Sequence, residues 1–201
     1  MLIKEFTALI ADSVNTIDDF NVVITRADKN EKEPFFELVK NKLIACIKSI
    51  EDLSHALASL DSIFLAELLS SPINFAISFK EYIKLIQDCP ERNKAVFLTV
   101  IQKQLSTLLT TYDDFNTLFA ILDPDQFEII YNTILPKIIE ILDTNIEQFA
   151  NILTRIPIHL QANFCQIINT KKSKLLRDRN NFPKLIGMIP VTKINLILSA
   201  I

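Results

Sequence analysis

The residues that could do chemistry in this chain are two histidines, three cysteines and a set of paired carboxylates. His55 and His159 each stand alone. Neither has a cysteine or carboxylate at an i+3 or i+4 metal-ligand spacing on an obvious shared inner face. A thiol nucleophile needs a base and an orienting group within reach. His159 and Cys165 are six residues apart, a spacing that does not bring them onto one helix face. Cys46, Cys89 and Cys165 are odd in number and scattered over apolar positions, and they read as reduced, buried small hydrophobes. Asp18-Asp19, Asp113-Asp114 and Asp123 with Asp125 could serve as acid–base pairs. Each stands beside an apolar run, however, and that recurrence at helix starts reads as capping. The single glycine, Gly187, excludes Gly-rich phosphate loops and dinucleotide fingerprints. The reading is therefore of no catalytic residue, no metal ligand and no cofactor.

One cluster exceeds what capping and packing need. Lys171, Lys172, Lys174, Arg177, Arg179 and Lys184 fall within fourteen residues. Residues 1–150 hold 23 acids and 13 bases, net −10, whereas residues 151–201 hold eight bases and the single acid Asp178, net +7. Such asymmetry points to a charged partner or to end-to-end self-association. The run reads either as a solvated face or as an anion-facing patch. Its first partner would be an acidic protein, with an anionic membrane surface or RNA next. Nucleic acid is not expected, because the rest of the chain is acidic and no aromatic residues interleave the bases.

The elements that carry these residues recur. Asp113-Asp114-Phe115 opens a run with Leu118, Phe119 and Leu122 and a proline, Pro124. Phe149, Ile152, Leu153, Ile156 and Pro157 repeat it, as do Phe182, Leu185, Ile186, Ile189 and Pro190. Tyr82, Leu85, Ile86, Cys89 and Pro90 fit upstream, Leu53 more loosely, and Phe20 shares the lead-in Asp-Asp-Phe-Asn. The anchors at 20, 53, 82, 115, 149 and 182 are 33, 29, 33, 34 and 33 residues apart, a period that marks a stacked array. Apolar residues at +3, +4 and +7 form one helix stripe. The pairs Asp18-Asp19, Glu51-Asp52, Asp113-Asp114, Glu147-Gln148 and Asn180-Asn181 before the anchors suit an N-cap and first turn, and the proline opens the next helix. The template predicts three short helices per repeat: A from the anchor, B over Pro124 to Asn132, and C from Leu135-Pro136 to Leu142.

Residues 1–16 read as an amphipathic capping helix with Leu2, Phe6, Leu9, Ile10 and Val14 on one face, and residues 17–201 as the array. Asp28 to Pro34 reads as a polar loop, with Pro34 opening a helix. The last helix, with Ile194, Leu196, Ile197, Leu198 and Ile201, is apolar nearly all round and lacks the polar outer face of a terminal repeat. It is expected to fold back on the array or pair with another molecule, or else the natural protein continues. The fold class expected is all-α: a right-handed, HEAT/armadillo-like α-solenoid of about five and a half three-helix repeats.

The core spacing, F-x-x-[LI]-[LIF]-x-x-[LI]-P, is carried by Phe115 to Pro124, Leu135-Pro136, Phe149 to Pro157 and Phe182 to Pro190. It resembles the α-helical repeats of effector proteins that intracellular bacteria deliver by type IV secretion. The ankyrin turn and the tetratricopeptide Trp, Gly and Ala positions are absent. The resemblance implies a protein-interaction scaffold without chemistry of its own, cytoplasmic or delivered into a host cell, sometimes joined to an enzymatic domain. The alternatives are the non-catalytic arm of a larger enzyme, or a peripheral membrane binder acting through the basic segment. The apolar, basic C-terminus departs from the polar or acidic secretion signals of that system.

Overall fold

The computed structural model describes residues 9–70, 76–142, 145–172, 175–176, 178 and 180–200. Every regular element among them is a helix. In chain order these are α1 (Ile17–Ile24), α2 (Lys29–Cys46), α3 (Ile50–Ser59), α4 (Ser62–Leu69), α5 (Phe79–Asp88) and α6 (Glu91–Leu108). There follow α7 (Tyr112–Ile121), α8 (Pro124–Ile141), α9 (Ile146–Arg155), α10 (Ile158–Lys171), α11 (Asn181–Met188) and α12 (Val191–Ala200). A short helical turn over residues 9–13 precedes them. The chain forms two compact halves, Met1–Ile101 and Gln102–Ile201, and the boundary falls inside α6.

Each anchor interval holds two helices, not the three expected. The expected helices B and C are one continuous element, 18 residues long in α2, α6 and α8. Pro136 lies inside α8, and Pro34 lies inside α2, where a loop was expected. A helical proline withdraws one N–H and crowds the carbonyl four residues back. For Pro136 that carbonyl belongs to Asn132 and for Pro34 to Asn30, and both residues are exposed, so water can take the released acceptor. Buried residues before and after Pro136 (Ile130, Ile134, Leu135 and Ile138) hold the two segments of α8 to one core face.

The odd-numbered helices α1, α3, α5 and α7 start in the same way. Thr16, Ser49, Ser78 and Thr111, each four residues before an anchor, are the N-caps. The second acids of three expected pairs, Asp19, Asp52 and Asp114, are instead the N3 partners of capping boxes, and so is Glu81, where no pair was expected. Thr16 Oγ1 accepts from the Asp19 N–H at 3.1 Å, and Asp19 Oδ2 accepts from the Thr16 N–H at 2.9 Å, so two orphan donors are satisfied reciprocally. Asn145 plays the N-cap role for α9, accepting from the Glu147 and Gln148 N–H groups.

These hydrogen bonds hold the capping carboxylates below their ordinary range. The causes are the Asn15 N–H and then the Thr16 hydroxyl for Asp19, the Lys48 N–H and then the Ser49 hydroxyl for Asp52, and the Ser78 hydroxyl and N–H for Glu81. At Asp114, burial pushes upward and is outweighed by the Thr111 and Thr110 hydrogen bonds. A depressed carboxylate contributes fully above its unfolded value, and the contribution is lost as pH falls through the folded value. The caps therefore support the fold at neutral pH and lose that effect on acidification below the ordinary values of 3.8 for Asp and 4.5 for Glu. Between neutral and acid pH, Asp52→Asn with Glu81→Gln loses less melting temperature than the parent. An equal loss in both proteins would contradict this.

The anchors Phe20, Leu53, Phe115 and Phe149 are fully buried and Tyr82 nearly so; the side chain of Phe182 lies outside what is described. At +3, +4 and +7, the α3, α5 and α9 stripes are buried throughout. Three expected core residues differ: Phe119 and Leu122 are half-buried and Ile186 is exposed. Phe119 still stacks on Phe127 at 4.3 Å, closing the α7–α8 pair. Leu9 is also exposed, and Ala11 and Val14 are buried beside it, whereas Leu2 and Phe6 of the expected capping helix lie outside the described residues.

Within the first half, α1 packs on α2 and on α3, α3 on α5, and α2 on α4. An aromatic cluster, Phe20 against Phe35, Phe36 and Phe64 with centroids 5.6–6.1 Å apart, fills the space between α1, α2 and α4. Within the second half, α7 packs on α8, α9 on α11 and α10 on α12. Apart from the contacts that close the hairpins α1–α2 and α7–α8, an odd helix thus meets the next odd helix or an even helix the next even one.

Candidate interaction surface

The basic segment is anchored as well as charged. Lys171 ends α10 and is exposed, and Lys172 is its half-buried C-cap, donating its N–H to the Ile168 carbonyl at 2.7 Å. A cation at a helix C-terminus also complements the helix dipole. Leu175 and Leu176 are buried and fasten the connection to the core, and Asn181 Nδ2 donates to the Leu175 carbonyl at 3.2 Å. Asp178, the single acid, accepts the Asn180 N–H at 2.8 Å just before α11. Lys184 is exposed on α11. Lys171, Lys172 and Lys184 therefore bracket the connection, while Lys174, Arg177 and Arg179 lie outside the described residues.

Long-range polar contacts follow the repeat interval. Asn93 is fully buried, and its Nδ2 donates to the Leu57 carbonyl at 2.7 Å and the Leu60 carbonyl at 2.8 Å. Beside it, Arg92 donates to the Ala58 carbonyl at 2.7 Å. Lys193, three residues after Pro190 as Asn93 is after Pro90, donates to the Thr154 carbonyl at 3.3 Å. In both halves, an even helix thus satisfies the carbonyl end of an odd helix one repeat earlier. Side chains of successive even helices also pair: Lys40 with Glu67 at 3.1 Å and Thr133 with Gln102 at 2.6 Å. None of these contacts was foreseen from the sequence. No signal in a single sequence marks them, since Phe127 and Leu160 stand at the third position after Pro124 and Pro157 where Asn93 and Lys193 stand after Pro90 and Pro190.

The residues considered for chemistry fall into this scheme. His55 Nε2 meets Asp18 Oδ1 at 2.9 Å, and His159 Nε2 meets Glu128 Oε2 at 3.2 Å; both are exposed pairs between successive repeats. Cys165 is fully buried, and burial pushes its thiol up to about 11, as it does for Cys89, the reverse of an activated nucleophile. Burial also raises the Cys46 thiol, which donates to the Asn15 carbonyl. The expected core residue Tyr82 is buried. Tyr131 is buried too, its hydroxyl has no partner among the described residues, and burial raises its pKa to about 12. The half-buried Tyr112 takes a hydrogen bond from Asn151 of the next odd helix. Among the described residues, no three His, Cys, Asp or Glu side chains come together as a metal site would require, and no helix is long and apolar enough to cross a membrane.

Comparison with protein-family models, with curated proteins and with solved structures finds no match for this chain.

Proposed function

We propose that the chain is a non-catalytic scaffold for protein–protein interaction, a right-handed α-solenoid of two-helix repeats. It binds an acidic protein partner through the basic connection bracketed by Lys171, Lys172 and Lys184. The observation that carries the reading is the recurrence, in both halves, of one design: an odd helix whose C-terminal carbonyls are held by a polar side chain from an even helix one repeat later. An array of such hairpins stabilises itself through nearest neighbours and leaves its surface to partners. At the basic connection, the apolar residues Leu175 and Leu176 are already buried, so its cations are not needed for packing. The resemblance to secreted effector repeats extends the proposal to a partner inside a host cell.

Charge reversal tests it. Exposed charges are screened beyond about 8 Å at physiological salt, so only a partner in close contact feels the cluster fully. Lys171→Glu with Lys172→Glu and Lys184→Glu keeps the melting temperature near the parent's and weakens capture of the acidic partner by about tenfold or more at low salt. The parent's on-rate falls steeply with added salt. Equal capture by both proteins at low and high salt would overturn the proposal, and unfolding of the triple variant would make the segment structural.

A further inference from the structure

We infer that the last hairpin, α11–α12, is the docking face for the first helix, α1, of a second copy of this chain. The inference rests on the repeat reading above and names one partner for it. Position-by-position comparison carries it. Ile186, four residues past its anchor, is 40 % exposed, whereas Leu57, Ile86 and Leu153 at the same position are buried. Leu198 follows Val191 by seven residues, as Cys165 follows Ile158; Cys165 is fully buried and Leu198 is 52 % exposed. The helices that bear Leu153 and Cys165, α9 and α10, are packed on by α11 and α12. Ile186 and Leu198 therefore expose the kind of surface that, one repeat earlier, another hairpin of this same design covers.

The complementary face is on α1. The residue two past an anchor faces the preceding odd helix: His55 reaches Asp18 of α1, and Asn151 reaches Tyr112 and Asn116 of α7. At this position the chain has Val22, His55, Lys84, Thr117, Asn151 and Lys184, so the first helix alone carries an apolar residue there. Val22 is 53 % exposed. Charge agrees with the pairing. α1 carries Asp18 and Asp19 and no base, while α11 and α12 carry Lys184 and Lys193 and no acid. Two different patches meeting make a heterologous contact, so association is not limited to a symmetric pair.

Sedimentation velocity over a concentration series tests this. The parent's mean mass rises with concentration. Val22→Lys and Leu198→Asp, each alone, move that rise to at least about tenfold higher concentration, since each removes an apolar contact and places like charge against like in the interface. Mixed together, the two variants form a one-to-one dimer, because each supplies the half the other lacks. Ile186→Glu, with helicity checked by circular dichroism, repeats the Leu198 test if that variant fails to fold. A parent that stays monomeric, a Val22→Lys variant that associates as the parent does, or a mixture that stays monomeric would each overturn the inference. Any of these, accompanied by unchanged salt-dependent capture of an acidic partner, would leave the scaffold proposal standing.

Discussion

Phe149→Ala lowers the stability of the folded chain by about 3–5 kcal/mol, the range for emptying a buried phenylalanine site. Phe149 has no exposed surface. It anchors α9 beside the buried Ile152 and Leu153 and stacks on Phe164 of α10, with centroids 5.8 Å apart and planes 12° apart. Further helices pack on both α9 and α10, so the cavity cannot close without shifting neighbours. For a protein of this size, the loss amounts to a fall in melting temperature on the order of 10 °C. A variant that melts with the parent would show that α9 is not a core helix.

Asn93→Ala is the second large effect. The end of α3 leaves carbonyls that a C-terminal glycine turn often satisfies. The chain's one glycine is far away at Gly187, and Asn93 and Arg92 of α6 supply the donors instead. Removing the amide strands the Leu57 and Leu60 carbonyls at a cost of about 1–3 kcal/mol each. The midpoint of chemical denaturation falls accordingly. Asn93→Asp, which keeps the shape but places a charge against two carbonyls, falls further. A shared midpoint for parent and Asn93→Ala would mean that water replaces the clamp.

The sequence made the odd helices legible because their packing is written in single residues at a fixed interval: an aromatic or leucine anchor and an apolar stripe. The even helices are less legible because proline, which reads as a boundary, lies inside two of them. Pro34 and Pro136 sit where the carbonyl they free is exposed, and the buried residues after Pro34 and on both sides of Pro136 outweigh the lost hydrogen bond. The N-caps were legible and overlooked: Ser or Thr three residues before an acid is a capping box. The Asn93 and Lys193 clamps could not be read from one sequence, because they join positions 33–39 residues apart that only packing brings together. The exposure of Ile186 was missed for a related reason. Its place in the stripe predicts burial, but burial depends on a neighbour that the last repeat lacks among the described residues.

Residue-resolved hydrogen exchange of the native Phe149→Ala variant against the parent tests the repeat array most directly. In an array held by nearest-neighbour contacts, damage at one repeat is felt most there and fades with distance along the chain. The account predicts that protection falls most in α9 and α10, less in α7, α8, α11 and α12, and little or not at all in α1 through α4. Protection lost by the same factor in every helix would contradict it, because the chain would then be one all-or-none core and not a stack of repeats.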